Sequence, residues 1–192
     1  LYEKRENMDF VESIKRYIPY NEQEEKDKEV ILNCLGVFED VLTRNNKIAH
    51  FTSSAFAVNN SRDKVLVIHH NIYDSWSWTG GHADGEKDLL TVAVKELKEE
   101  TGVNNVHLVI PGIFSLDILP VLGHMKRGEY VSPHLHLSVA FLMEADENDA
   151  LIVKEDENSG VRWIPLEKLI EYSNEPHMHK VYTKFISKIK KL

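Results

Sequence analysis

The most constraining stretch of the chain is Leu89 to Gly102, where an apolar set and an acidic set share one helical period. Leu90, Ala93, Val94 and Leu97 recur three and four residues apart, which defines an apolar stripe that must be buried against other structure. Glu96, Glu99 and Glu100 fall together beside that stripe. Gly102 then supplies a residue that closes a helix without steric cost. A buried stripe needs a partner layer, so this helix predicts a sheet or other helices beneath it. Three carboxylates on one face repel one another unless a cation sits among them, and hard divalent ions prefer carboxylate oxygen. Taken alone, Lys95 to Glu100 also reads as a solvated face with helical ion pairs, and spacing does not decide between the two.

The surrounding segments supply that partner layer. Residues 8–20 and 23–44 carry apolar residues at helical spacings, among them Phe10, Ile14 and Ile18 and then Val30, Leu35, Phe38 and Val41, with Pro19 and Asn21 between the two runs. Phe51 to Val58 and Lys64 to His69 read as strands of a hairpin joined by Asn59 to Asp63. Trp76-Ser-Trp78 runs into a glycine turn, Thr79-Gly80-Gly81, and a polar connection to the acidic helix. Strands are expected at 106–110 and 113–122, with Pro111 and Pro120 at edges or turns. In 134–141, Leu135, Leu137, Val139 and Phe141 alternate with His134, His136, Ser138 and Ala140, predicting one buried and one more polar face. Val161 to Pro165 gives a further strand, 166–172 a short helix, and 177–190 a last helix with basic residues at its carboxyl end. The order predicts an α+β fold, a mixed sheet between helices. It divides into an amino-terminal helical extension over 1–46, a central domain over 47–173 and a carboxyl-terminal helix over 174–192 packed on the same domain.

Composition narrows the function classes. With 42% apolar and 28% charged residues in 192, the chain has the make-up of an ordinary folded domain. A net charge of -8 argues against broad attraction to nucleic acid. The single cysteine, Cys34, excludes an internal disulfide framework or a Cys-rich zinc site and reads as a small buried helix residue. No run is long and apolar enough for a membrane helix, and the first residues lack a signal pattern, so a cytoplasmic protein without membrane contact is expected.

Context around the acidic helix points to one family. Gly81 to Val103 resembles the Nudix signature, supplying Gly81, Glu96, Leu97, Glu99, Glu100, Gly102 and Val103 in register. The likeness extends over most of 48–170, including Trp76 to Gly81 and Trp163 to Leu169, and leaves the first helices outside it. Two positions depart from the pattern. Lys87 stands where the first glutamate is expected, with Glu86 one residue early, and Lys95 replaces an arginine, which keeps the charge but loses the planar two-pronged donor.

The resemblance implies a pyrophosphohydrolase acting on a nucleoside diphosphate linked to another group, or a similar small diphosphate. Mg²⁺ or Mn²⁺ would be held by Glu96, Glu99 and Glu100 and by the Gly81 carbonyl. It also implies catalytic roles for Glu96 and Glu99, and for Glu157, which stands six residues before Trp163 on a loop able to reach the metals. His82, His134, His136 and Lys95 are candidates for substrate contact; His134 and His136, two apart on a strand, share a face. Lys126, Arg127 and Tyr130 form a polar loop that could meet an anionic substrate or simply face solvent. Trp76 and Trp78 read better as core than as base-stacking residues. Family members are often dimers, which makes a homodimer a further expectation. Two other functions stay open: a ligand-binding regulator that kept the fold with weakened catalysis, suggested by Lys87 and Lys95, and an isomerase of the isopentenyl diphosphate type. The isomerase is disfavoured because its chemistry uses a cysteine in the catalytic domain and Cys34 lies in front of it.

Overall fold

A computed structural model describes residues 9–126 and 128–192; the expected start of the first helix at 8 and the candidate Arg127 lie outside the described residues. Two helices come first, α1 (Phe10–Arg16) and α2 (Glu22–Val37). Asp9 and Asn21 cap them by accepting hydrogen bonds from Val11 N and Glu24 N. Then follow β1 (Ala49–Val58), β2 (Lys64–His70), β3 (Ser75–Ser77), β4 (Thr79–His82) and the acidic helix α3 (Leu89–Thr101). The remainder is β5 (Val106–Leu108), β6 (Ser115–Val121), β7 (His124–Lys126), β8 (Glu129–Val131), β9 (His134–Ala145) and β10 (Asn158–Pro165), then α4 (Leu169–Tyr172) and α5 (Pro176–Ile189).

The mixed sheet is organised on β1, which runs parallel to β9 from Ala49 opposite Leu135 to Val58 opposite Glu144. On its other side β1 pairs antiparallel with β2 at Val58 and with β4 from Thr52 to Ala55. The order β10-β2-β1-β9-β5 forms the main path, with β3 on β2, β4 on β1 and β6 on β9. Helices lie on both faces, so the α+β arrangement expected from the sequence is the one observed. Phe51, Ala55 and Ala57 of β1 meet Ala93 and Leu97 of α3 and Ile14 and Ile31 of the first helices in one core. Phe56 and Val58, pointing the opposite way, meet Leu169, Val181, Tyr182 and Phe185 of α4 and α5 in the other. Trp78 packs against Phe185 and Tyr182 at ring separations of 5.2 and 5.8 Å, which makes it a core residue.

Several elements differ from the sequence expectations. α2 ends at Val37 rather than at 44, because Phe38 is extended and Val41 is buried from a loop whose carbonyl accepts a hydrogen bond from Phe51 N at 2.7 Å. The stretch expected as a glycine turn, Thr79 to Gly81, is part of strand β4. The polar loop at 124–131 is a hairpin, β7 and β8, turning at Gly128 with φ of 86°. Pro120 sits within β6, where it is tolerated because β6 has a strand neighbour on one side only. The other side of β6 is covered by α2, whose Asp27 carboxylate accepts a hydrogen bond from Ile118 N at 2.9 Å.

Candidate functional site

The acidic helix is fixed at both ends by local chemistry. Asp88 caps its start, accepting from Thr91 N at 3.1 Å, and Gly102 ends it in the left-handed region with φ of 82°. Leu89, Val92, Ala93 and Leu97 seat it on the sheet. This orientation turns Glu96 and Glu100, four residues apart, toward the paired glycines of β4. Glu100 is only 3% exposed, and its carboxylate accepts a hydrogen bond from Gly80 N at 3.0 Å. At Gly81 a side chain is excluded by contact: a Cβ there would lie 2.6 Å from Cδ of Glu96. Gly80 is held equally close to β1, where a Cβ would lie 2.8 Å from the Ser53 carbonyl oxygen.

Glu157 reaches the same place from the loop before β10. Glu96, Glu100 and Glu157 each offer a carboxylate oxygen, and these oxygens lie within 4.8 Å of one another. Glu99 stands outside this group on an exposed flank, 3.8 Å from Lys95 Nζ and 3.7 Å from Lys154 Nζ. Electrostatics agree with the crowding. Burial, with the neighbouring charges of Glu96 and Glu157, pushes the Glu100 carboxyl up to about 8. Burial and the charges of Glu157 and Glu99 also raise Glu96 above the usual carboxylate range. The carboxyls hold their charge poorly on their own, and a hard divalent cation supplies what they lack. The residues present therefore fit such an ion.

Two contributors to this site were not legible in the sequence. Lys154, paired with Glu157 at 3.0 Å, brings an ammonium to the carboxylate rim. Burial opposes its charge, but Glu157, Glu99 and Glu96 outweigh that and hold it above its usual range. Asn158 is buried at the foot of β10 and donates to the Glu100 carbonyl at 3.1 Å, tying the end of α3 to the strand that follows the Glu157 loop. Glu86 does not turn into the acidic group; its carboxylate accepts from Asp88 N at 2.9 Å, and Lys87 beside it is exposed.

The histidines gather elsewhere. His82 follows Gly81 along β4, so it points through the opposite face of the sheet from the acids. There it meets His136 of β9 and His50 of β1, a residue that no sequence signal marks, and His134 of β9 stands against His50 and His136. Ring centroids lie 4.8 Å apart for His50 and His134, 5.2 Å for His50 and His136, and 5.0 Å for His82 and His136.

The site thus sets a glycine strand against an acidic helix, with a third carboxylate arriving from the loop before the last strand, and the comparisons with known proteins supply the family. The model of the NUDIX domain matches residues 49–185, and the chain belongs to the Nudix family, as an enzyme of the Nudix hydrolase type. An RNA pyrophosphohydrolase of Pelagibacter ubique (strain HTCC1062) is 29% identical over 138 residues, 69% of this chain and 87% of that protein. Among solved structures, a C. elegans Ap4A hydrolase in a binary complex superposes with a TM-score of 0.52 at 15% identity, covering 74% of this chain and 98% of that one. A NUDIX-family hydrolase from Clostridium perfringens gives 0.51 at 19% identity, covering 73% and 96%. At such identities the two structures speak for the fold. Among the described residues no helix is long and apolar enough to cross a membrane.

Proposed function

We propose that this chain hydrolyses a diphosphate linkage in a nucleoside-diphosphate derivative or a related small molecule, using Mg²⁺ or Mn²⁺ at the acidic group. The observation that carries this is the convergence of Glu96, Glu100 and Glu157 on one point beside Gly81. Glu96 and Glu100 are the ligands from the helix, Gly81 adds its carbonyl, and Glu99 serves from the rim. When bound, divalent ions neutralise phosphate charge and acidify a water for in-line attack. Glu157 lies on a loop rather than on the helix, and it acts as auxiliary ligand or as the base that accepts the proton of the attacking water. Lys95, exposed and 3.8 Å from Glu99, takes the role of contacting the anionic substrate in this reading.

The test is incubation of the full chain with Mg²⁺ or Mn²⁺ and a panel of nucleotides, nucleotide sugars, dinucleoside polyphosphates and 5′-phosphorylated RNA, with products identified by mass. The names of the relatives put the last two on the panel. Cleavage at a diphosphate in at least one compound, abolished by chelator, is the expected result. Tight binding without turnover across the panel would favour the ligand-binding alternative.

A further inference from the structure

The histidine group behind Gly81 lies on the opposite face of the sheet from the acidic centre. We propose that His50, His82 and His136, with His134 beside them, form a second metal site, one for a borderline transition cation such as Zn²⁺ rather than for Mg²⁺. Three strands bring the ligands together. His50 lies opposite His136 in the parallel pairing of β1 and β9, and His82 lies opposite Thr52 one pleat along β1. All three therefore leave the sheet on one face. Each offers a ring nitrogen, and these nitrogens lie within 4.8 Å of one another.

The second observation concerns what the most buried of them does with its lone pair. His50 is 4% exposed, and its Nδ1 lies 2.9 Å from the Asn46 carbonyl, which fixes the proton on Nδ1. Its Nε2 is consequently an acceptor, and it is buried with no hydrogen-bond partner among the described residues. A buried polar atom left unmatched costs free energy, so its persistence calls for a ligand. His134 is anchored in the same way, its Nδ1 2.9 Å from the Ser132 carbonyl, and its Nε2 meets His136 Nε2 at 3.3 Å. An imidazole anchored through Nδ1–H on a carbonyl, with Nε2 turned inward, is how metal-ligating histidines are held. Imidazole nitrogen suits Zn²⁺ and its neighbours, whereas Mg²⁺ takes oxygen. His82 and His136 are half-buried, so their rings have room to close on an ion at about 2.0–2.1 Å. Such an ion would pin β4 to β1 and β9 directly behind Gly81.

The experiment uses the full chain freed of metal by chelator and held in excess Mg²⁺, titrated with Zn²⁺ against a chromophoric chelator and with Co²⁺ by visible absorption. Expected is one equivalent of Zn²⁺ that Mg²⁺ does not displace, and a Co²⁺ spectrum of nitrogen ligation. The paired substitution His82→Asn with His136→Asn should weaken Zn²⁺ at least about a hundredfold, since it removes direct ligands. Glu96→Gln should leave Zn²⁺ binding in place, which separates this site from the acidic one and its failure from failure of the hydrolase reading. Should the paired variant not fold, imidazole ¹⁵N shifts in the native chain still decide, because Zn²⁺ must move the His50 Nε2 resonance. Displacement of Zn²⁺ by Mg²⁺, its loss in Glu96→Gln, or an unmoved His50 would overturn the proposal. So would absent Zn²⁺ binding combined with a raised KM in the paired variant, which would make the histidines a substrate surface.

Discussion

Lys154 Nζ sits 3.0 Å from Glu157 Oε2, three residues on in the same loop, and its ammonium also stands 3.7 Å from Glu99 Oε2. A fixed cation is thus built into the rim of a group of acids that otherwise repel. It offsets part of the like-charge repulsion and competes with whatever other cation the acids take.

Replacing that ammonium should make the acids bind metal more strongly. For Lys154→Met we expect the Mg²⁺ concentration at half-maximal activity to fall severalfold, the size of effect one partly screened charge exerts at this range. Mg²⁺ titrations of activity at fixed substrate check it; an unchanged half-saturation point means that Lys154 balances Glu157 and Glu99 without touching the metal equilibrium.

Glu100→Gln should preserve the fold and lower turnover at least about a hundredfold, because it removes a charge from the metal-facing group at nearly constant volume. The amide oxygen can still accept from Gly80 N, so the loss is one of charge rather than of packing. Near-native activity at limiting Mg²⁺ would remove Glu100 from the ligand set.

Glu157 and Glu155 share one acidic turn but not one environment. Only Glu157 joins Glu96 and Glu100, while Glu155 is exposed. Glu157→Gln should therefore cut kcat at saturating Mg²⁺, by roughly the factor of a hundred or more that a positioned base contributes. Glu155→Gln should leave kcat unchanged. Equal kcat values for both variants and the native enzyme would reduce the turn to a solvated one.

Without metal, the raised pKa of Glu100 becomes a stability effect with a definite sign. The folded chain keeps the proton up to about 8, whereas the unfolded chain releases it near the ordinary 4.5. Between those values the folded state binds more protons, so stability falls as pH rises through this window. Thermal unfolding in chelator should show Tm dropping from pH 5 to 8 more steeply in the native chain than in Glu100→Gln. Mg²⁺ should flatten the native curve. Parallel slopes for the two proteins would show that Glu100 is not the group responsible.

How much of this was readable from residues alone depended on whether a neighbour in the chain or a neighbour in space was decisive. The acidic helix was legible because the apolar stripe and Gly102 are local signals, and β9 was legible because only one of its faces is polar near His134 and His136. β1 is buried along its whole length, so it has no alternation to mark its start, and Ala49 and His50 were left outside the expected strand. That cost the reading His50, whose significance comes from pairing with β9 some eighty residues away. Lys154 carries no spacing signal toward Glu99. Val41 has helical spacing from Val37 but is buried through a loop, which is why periodicity alone extends α2 past its true end.

The unit that descent recognises and the unit that folds do not share a boundary. The family match begins at 49, yet Glu24 of α2 is fully buried, with Lys184 Nζ at 3.0 Å and Lys188 Nζ at 3.1 Å from its carboxylate, and it accepts from Ser115 Oγ at 2.9 Å. Burial opposes the charge of Glu24, but Lys184, Tyr17 and Lys188 hold its carboxyl below the usual range. A chain begun at residue 49, where the match begins, would expose the open side of β6 and leave Lys184 and Lys188 of α5 without their shared acid. The first helices are a keystone for the far face of the sheet, so the front that the family match leaves out is part of what the fold cannot lose.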